Sequence, residues 1–519
     1  MGGATGAGKS VTIDCILQSM CHEYSPEELQ LVYIDMKAAE AAKYVKDGYS
    51  TIPHCIVLAG TEDGEYCLSI FDWAFQEMLR RMTICTKYTM QKVEDLRKKY
   101  DDPSRPDYNP EVHLPRIVIL IDEFQVMFDE SRLSSKIIQK ITGRITSMVK
   151  LARAAGMHLW FTSQEMSGTL AKNVLDNFST RGALRCTEAV SMSLLGNGAA
   201  GTIREKVGWM YTNTSAGTDP TANLKWKIPF EPTEGLQLGM TELQELAKKK
   251  NIPVLRARYY REKEMHTVDD LIKAYNATPD LRNPNIAVLG ERTVYSLKTT
   301  PVNFRFMEDD NENLYCVANE RQDLTDLVGT FLDNVQLKEE NAGLLITSAD
   351  KDTNYLLNLE QYQPEGWDDV LLPRTSASDV SDGLEEILEA RQEQDSHQAL
   401  YVFMIMWEKK EGIGVSDSYK EIERLKTLVR ALNAYNVHFL FFSREKGLPQ
   451  DLINVCNHKI AAKCDESLAM RIVDSPAPYK FPGPSGDETS FAMYRYGSDT
   501  QKFKIYRHKL ERELEVREI

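Results

Sequence analysis

The chain has 519 residues, 42% of them hydrophobic and 27% charged, which is enough for several globular domains. Its formal net charge of −15 excludes a globally basic surface, so a polymer substrate would have to be gripped locally. The nine cysteines have no C-x-x-C pair or zinc-spaced histidine and read as reduced intracellular thiols, and no apolar run reaches the roughly 20 residues of a spanning helix.

The first ten residues, "MGGATGAGKS", complete G-x-x-x-x-G-K-S from Gly3 to Ser10, and the apolar spacing of "VTIDCILQSM" predicts a helix directly behind. Glycine-rich backbone running into a helix N-terminus offers amide donors and a positive dipole end to phosphates. Gly3, Gly6 and Gly8 are therefore candidate nucleotide-binding residues, with Lys9 reaching the β/γ-phosphates of ATP and Ser10 holding Mg2+. "LQLVYIDMK" predicts a buried parallel strand ending at Asp35 and Lys37. Residues 65–100 are helical in period, and "DDPSRPDYNPEVHLP" reads as a loop.

"RIVILIDEF" then runs five apolar residues, Ile117 to Ile121, into Asp122 and Glu123. Such a strand end can present one carboxylate, Asp122, to Mg2+ and a second, Glu123, to polarise an attacking water. A helix through "SSKIIQKITGRITSMVKLARAAG" leads to the strand "MHLWFTSQE", where Gln164 stands as a polar sensor of the γ-phosphate, and "RGALRC" is a fourth strand. This alternation predicts an α/β fold with a doubly wound parallel sheet and ligands at the strands' C-terminal ends. The sheet also calls for a strand before the phosphate loop, so the expectation is a domain lacking its first strand because residues upstream are absent.

The strings "GATGAGKSV", "YIDMK", "IVILIDEF", "ARAAGMHLWFTSQ" and "STRGALRC", in this order and spacing, resemble the motor domain of the FtsK/SpoIIIE ATPases over about residues 2–230. The resemblance implies a RecA-like core that assembles as a homo-hexameric ring and moves a polymer through its pore. That polymer is double-stranded DNA in the chromosomal and conjugative members and a secreted protein in the type VII secretion members. By motif position, the resemblance carries nucleotide contact to Gly6, Gly8, Lys9 and Ser10, Mg2+ and water activation to Asp122 and Glu123, and sensing to Gln164. Translocases of the family commonly continue Gln-Arg-Pro after the sensor, whereas this chain has Gln164, Glu165 and Met166.

Comparison of the chain with itself reveals a tandem. "TSMVKLARAAGMHLWFTSQE" and "KTLVRALNAYNVHFLFFSRE" align without a gap, setting His158 on His438 and Gln164 on Arg444. Almost in step, "RGALRCTEAVSMSLLG" faces "HKIAAKCDESLAMRIVD", with Cys186 on Cys464. In the second copy the phosphate loop reads "ANERQDLT", with acids Glu320 and Asp323 where phosphate would press, and "VILIDEF" becomes "VFMIMWE", keeping at most Glu408. The second copy is expected not to hydrolyse ATP. Family translocases also carry an arginine, on the helix after the fourth strand, that enters the neighbouring subunit's site. Copy one has Ser193 there and copy two Arg471, which makes Arg471 a candidate to complete a catalytic site built around Lys9.

The sequence thus predicts two RecA-like P-loop NTPase sheets in tandem: residues 1–230, a connecting segment 231–310 with two short helices about a strand, and a degenerate copy 311–519. The basic runs at Lys248–Lys250 and Arg97–Lys99 read as solvated faces, and the end, "KLERELEVREI", as a short charged helix. The expected function is an ATP-hydrolysing motor with Mg2+ that translocates double-stranded DNA, the alternative being a type VII secretion-like ATPase that drives protein export. The expected location is cytoplasmic, at the inner face of the cell membrane where a membrane anchor in upstream residues would hold it.

Overall fold

The computed structural model describes residues 1–508 apart from 132, 165–176, 206, 231, 256, 296–300, 310, 339–341, 349–376, 407–418, 445–446 and 485–488. The chain divides into two compact units, Met1–Glu262 with Val294–Ser296, and Lys263–Thr293 with Leu297–Ile519. The stretch 231–310 is shared between them.

The first unit contains helix α1 (Lys9–Glu23), strands β1 (Leu29–Asp35) and β2 (Cys55–Gly60), helix α2 (Gly64–Lys87), strand β3 (Arg116–Asp122), helix α3 (Ser135–Leu151) and strand β4 (Met157–Phe161). It continues with strand β5 (Arg181–Leu184), helix α4 (Glu188–Leu195), strands β6 (Trp209–Asn213) and β7 (Asn223–Lys227), helix α5 (Thr233–Lys249) and strand β8 (Tyr259–Arg261). Strands β8-β2-β1-β3-β4 form one all-parallel sheet. Its strands are apolar on both sides because helices cover both sides. Val32 and Ile34 of β1 pack with Ile70 and Phe71 of α2 and Ile141 of α3, while Leu31 and Tyr33 face Ile13 and Leu17 of α1 and Met240 of α5. The period expected to give one helix over residues 65–100 is split into α2 and a separate helix, Val93–Tyr100. Tyr88 closes α2, and Thr89 takes a left-handed φ of 57° that no helix continues through.

Gly2 bridges in parallel to both Ser163, just past β4, and Ala183 of β5. Ser163 N donates to Met1 O (3.0 Å), Leu184 N to Gly2 O (2.8 Å), and Gly3 N to Ser163 O (3.3 Å). These bonds fix the start of the Gly-rich loop between β4 and β5. Strand β5 belongs to a separate antiparallel sheet, β5-β6-β7, which the Gly2 bridges join to the parallel one.

The second unit opens with strand β9 (His266–Thr267), helix α6 (Val268–Ala277), and strands β10 (Ile286–Arg292) and β11 (Val302–Arg305). It then repeats the alternation: β12 (Leu314–Val317), α7 (Arg321–Gln336), β13 (Ala342–Ser348), α8 (Ala377–Gln394), β14 (Ala399–Ile405), α9 (Tyr419–Asn433), β15 (Val437–Ser443), β16 (His458–Ala461) and α10 (Glu466–Val473). Strands β17 (Phe491–Tyr496), β18 (Asp499–Lys504) and β19 (Tyr506–Arg507) complete it. The sheet order is β11-β10-β18-β17-β16-β12-β15-β14-β13, in which β13, β14, β15, β12 and β16 are parallel neighbours. That parallel order matches β1-β3-β4-Gly2-β5 of the first unit, and both turn antiparallel after it. The two units therefore share the order of these parallel strand positions.

Among the described residues no helix is long and apolar enough to cross a membrane. All nine cysteines are free thiols. The stretch "KLERELEVREI", together with Glu165, Met166 and Glu408, lies outside the described residues.

Candidate functional site

The Gly-rich loop leads into α1 with Gly6 at φ 75° and Gly8 at φ 103°, a left-handed region in which a side chain is strained. Gly8 is the N-cap of α1 and gives no side-chain cap to the first-turn amides, whereas Asp63, Ser134 and Thr187 cap α2, α3 and α4. A Cβ on Gly8 would meet Gly208 N and Val207 Cγ1 at 3.3 Å, and one on Gly3 would overlap Leu184 Cβ at 2.8 Å. The loop thus sits tightly on its own sheet and leaves amide donors to an outside acceptor. That is the chemistry of a phosphate cradle.

Across from the loop, β3 ends in Asp122 and Glu123, both 2% exposed or less, as Lys9 is at 5%. Lys9 Nζ donates to Asp122 Oδ1 at 2.5 Å and also to Glu123 Oε1. Asp122 Oδ1 further accepts the Thr162 hydroxyl and the Glu123 amide (3.0 Å), which fixes its orientation. Glu123 has a left-handed φ of 57°, a strained conformation for a residue with a Cβ, and this turns its carboxylate beside Lys9 directly after the strand. Its other oxygen, Oε2, accepts Gln125 Nε2 at 2.5 Å and pairs with Lys37 Nζ at 3.2 Å. Burial pushes the Glu123 carboxyl up, but the bonds from Lys9, Gln125 and Lys37 and the charge of Lys9 outweigh it and hold the group below its ordinary value.

Gln164 follows β4, with its amide 3.4 Å from Glu123 Oε2 and its side-chain oxygen accepting the Thr5 hydroxyl at 3.0 Å. It therefore links the Gly-rich loop to the acidic strand end. Ser10 donates its hydroxyl to Glu40 Oε1 at 2.7 Å. Gly3, Gly6, Gly8, Lys9, Ser10, Asp122, Glu123 and Gln164 thus converge at one end of the sheet. Arg471 belongs to the second unit, exposed on α10 and close enough to Gly447 that a Cβ there would lie 2.8 Å from its Nη2. Its counterpart Ser193 is exposed on α4, and the two helices match turn for turn, ending in left-handed Gly196 and Asp474 whose amides bond Met192 and Met470.

Lys37, Gln125 and Thr162 were missed as members of this cluster. Lys37 had a faint signal in the strand end "IDMK"; the other two had none, because their approach depends on how β3 and β4 pair. For Mg2+ the donor set fits: the Ser10 hydroxyl and the Asp122 carboxylate are hard oxygen ligands beside the loop. Among the described residues no group of three His, Cys, Asp or Glu side chains forms a separate metal cluster.

The second unit shows what happens to the same place without these residues. Ala318 N bonds Ser443 O and Asn319 N bonds Lys463 O, as Gly3 N bonds Ser163 O and Ala4 N bonds Arg185 O. Helix α7 starts at Arg321, only two residues past Asn319, whereas α1 starts five residues past Ala4. The loop is therefore shortened as well as substituted, and Asp323, expected on the loop, lies in the first turn of α7. Arg444, the counterpart of Gln164, donates from Nε and Nη2 to Asn319 O at 3.0 and 2.8 Å and pins what remains. Strand register also corrects the alignment of the acidic strand. Ile121 pairs with Phe161 and Met404 with Phe441, so Ile405 stands at the place of Asp122 and Met406, φ 57°, at that of Glu123. Both replacements are buried hydrophobic residues.

A glycine-lined loop on a helix N-terminus, a lysine and a paired Asp–Glu strand end, mounted on a parallel sheet, define a P-loop ATPase. Residues 1–168, within the first unit, match the FtsK/SpoIIIE family. The DNA translocase FtsK of Clostridium tetani is 33% identical over 173 residues, which is 33% of this chain and 21% of that protein, and that of Rickettsia prowazekii 29% over 219 residues, 37% and 28% respectively. The matched stretch is thus a small part of those relatives. Over both units the fold is similar to the cytoplasmic domain of the type VII secretion ATPase EccC of Thermomonospora curvata (TM-score 0.69, 16% identity, 98% of this chain and 60% of that one). It is also similar to ATPases 2 and 3 of EssC from Geobacillus thermodenitrificans (TM-score 0.60, 14% identity, 98% and 91%).

Proposed function

We propose that the first unit binds and hydrolyses ATP and that the chain couples this to moving a polypeptide, as a motor of protein export. The observation that carries the hydrolytic part is Lys9 held between Asp122 and Glu123 beside an uncapped Gly-rich helix start. On arrival of nucleotide, the Lys9 ammonium exchanges its two carboxylates for phosphate oxygens. Glu123 Oε1 is then free to accept a hydrogen bond from water, while Lys37 and Gln125 retain Oε2 and keep the carboxylate aimed. Losing the Lys9 contact also raises the basicity of Glu123, so nucleotide entry both fills the loop and readies the base. Ser10 and Asp122 would hold Mg2+, which when bound neutralises charge on the phosphates. Gln164, bonded to Thr5, is proposed to report loop occupancy to the acidic strand end.

The second unit is proposed as a structural partner that does not cycle, and Arg471 as an arginine supplied to the Lys9 site of a neighbouring copy in a ring. Protein as the substrate is supported by the likeness to EccC and EssC, which extends through both units, while the likeness to DNA translocases matches 33% and 37% of the chain. The net charge of −15 points the same way. Double-stranded DNA is the second reading, favoured by those sequence relatives. A location at the inner face of the membrane belongs to the first reading. ATPase rate measured with and without double-stranded DNA, and with and without a secreted peptide, separates the two. Stimulation by the peptide is expected; stimulation by DNA alone overturns the protein-export reading, and a chain with no turnover overturns the motor.

A further inference from the structure

The segment after β1 returns to the nucleotide end of the sheet. Asp35, buried at the end of β1, pairs in register with Asp122 of β3. Its Oδ1 accepts the Lys37 amide (2.9 Å), and its Oδ2 accepts the amides of Glu40 (2.6 Å) and Ala41 (3.0 Å). One carboxylate thereby folds residues 35–41 into a tight arch. The arch places Glu40 against α1, where Oε1 accepts the Ser10 hydroxyl at 2.7 Å. Glu40 Oε2 accepts Lys43 Nζ at 3.0 Å, and Lys43 is itself tied to Asp14 of α1 at 2.6 Å. Tyr44 donates to the other oxygen of Asp14, also at 2.6 Å. Apart from Ser10 itself, Glu40 is therefore held by Asp35 through its amide and by Lys43 through Oε2, both outside the Gly-rich loop.

We propose that Glu40 is a positioning residue for Mg2+, setting the Ser10 hydroxyl so that its lone pairs are presented to the ion; this rests on the nucleotide reading of the Lys9 loop. A serine hydroxyl has one proton and two lone pairs. A free hydroxyl rotates, and some of its orientations aim the proton at an incoming cation. With the proton committed to Glu40, only lone pairs face away from the arch. Outer carboxylates that orient a metal's direct ligands are a general device, and their loss typically costs 10–100-fold in metal affinity. Glu40 orients the ligand without being one: Oε1 is engaged by Ser10, and Oε2 is engaged and neutralised by Lys43, which Asp14 keeps in place. The arch also connects the two halves of the ion site, since Asp35 fixes Glu40 at one end and lies opposite Asp122 at the other.

The test is a titration of the 519-residue chain with a fluorescent ADP, once in excess EDTA and once in millimolar Mg2+, on wild type, Glu40→Ala and Glu40→Gln. The readout is the ratio of the two affinities, which needs no turnover. Glu40→Ala is expected to lose about 10–100-fold of the Mg2+-dependent tightening while its affinity in EDTA stays at the wild-type value. Glu40→Gln, which keeps an acceptor oxygen for Ser10, is expected to retain most of the tightening. The proposal is overturned if Glu40→Ala tightens with Mg2+ as wild type does. It is equally overturned if Glu40→Gln is as defective as Glu40→Ala, because charge and hence direct ligation would then be the operative property. Equal weakening in EDTA and in Mg2+ would show a merely structural residue and also overturns it. Failure of the nucleotide reading looks different: wild type itself would bind ADP under neither condition.

Discussion

The two units share the order of five parallel strand positions and the helix that follows, yet among the described residues only the first keeps the glycines, lysine and paired acids, and the difference lies in the loop, the acidic strand end and the helix behind the loop. At the loop, four residues between Ala4 and α1 become one between Asn319 and α7. At the acidic strand, Asp122 and Glu123 become Ile405 and Met406 on an unchanged backbone, down to the left-handed turn. The helix behind the loop changes too. Nearly every residue of α7 is buried, and its Asp326 is bonded by Arg507 Nη1 (3.0 Å) and His508 N (3.0 Å) from the chain's last described residues. Burial pushes Asp323 up to about 6 and Asp326 up to about 7, so the end of the helix that would face phosphate is filled with protein and acid. The lesson is that the fold is carried by the apolar faces of the strands, which both copies keep, and the chemistry by a few side chains at the strand ends, which one copy has given up.

The largest effect expected from breaking this division of labour concerns Arg471, the one motor-like residue assigned to the second unit. Arg471→Ala should lower the steady-state ATPase rate about 10³–10⁵-fold with little change in nucleotide affinity; an unchanged rate removes Arg471 from the machinery. Next, Glu123→Gln should cut single-turnover hydrolysis about 10²–10⁴-fold while ATP binding persists. The reciprocal Met406→Glu should restore no activity to a Glu123→Gln chain, because the second unit has no lysine or phosphate loop to act with.

A smaller, thermodynamic contrast lies in the aligned histidines. His158 is exposed, whereas His438 is fully buried, hydrogen-bonded to Glu312 O and Asn436 and stacked on Phe306. Burial lowers His438 to about 4, against some pull from Glu312. With the folded value below the unfolded one, the unfolded chain takes up the proton first. Stability is therefore lost as pH falls from about 6.5 towards 4, by roughly 3 kcal/mol from this residue. His508, also lowered by burial to about 4, adds in the same direction. Glu312, held down to about 2 in spite of burial by His458 and Asn457, contributes stability that is full above its ordinary value of 4.5 and is lost progressively as pH falls from there towards 2. Urea unfolding of the second unit followed from pH 7 to pH 4 should show this loss, and His438→Phe should flatten it while His158→Phe leaves it nearly intact.

Strand and helix alternation, the Gly3–Ser10 loop and the Asp122–Glu123 pair were legible because each is a local pattern: a run of apolar residues buried on both faces, or glycines where backbone must approach phosphate. The tandem was legible because its strongest match, around His158 and His438, runs without a gap from a helix into a strand, a continuous local pattern in both copies. What stayed hidden were contacts made across strands and through the arch. Thr162 reaches Asp122 only because β3 and β4 pair at a given register, and Glu40 reaches Ser10 only because Asp35 gathers three amides around itself. The same register shows that Met406, rather than the residue after it, holds the place of Glu123, and that the second loop is shortened.

By itself, then, the sequence determined two α/β copies and which of them has the residues to bind and split a nucleotide, since those follow from periodicity and side-chain chemistry along a few continuous segments. Only the tertiary structure decided which lysines, acids and hydroxyls meet at the strand ends, because hydrogen bonds between segments far apart in the chain depend on register and loop length, neither of which a linear pattern records.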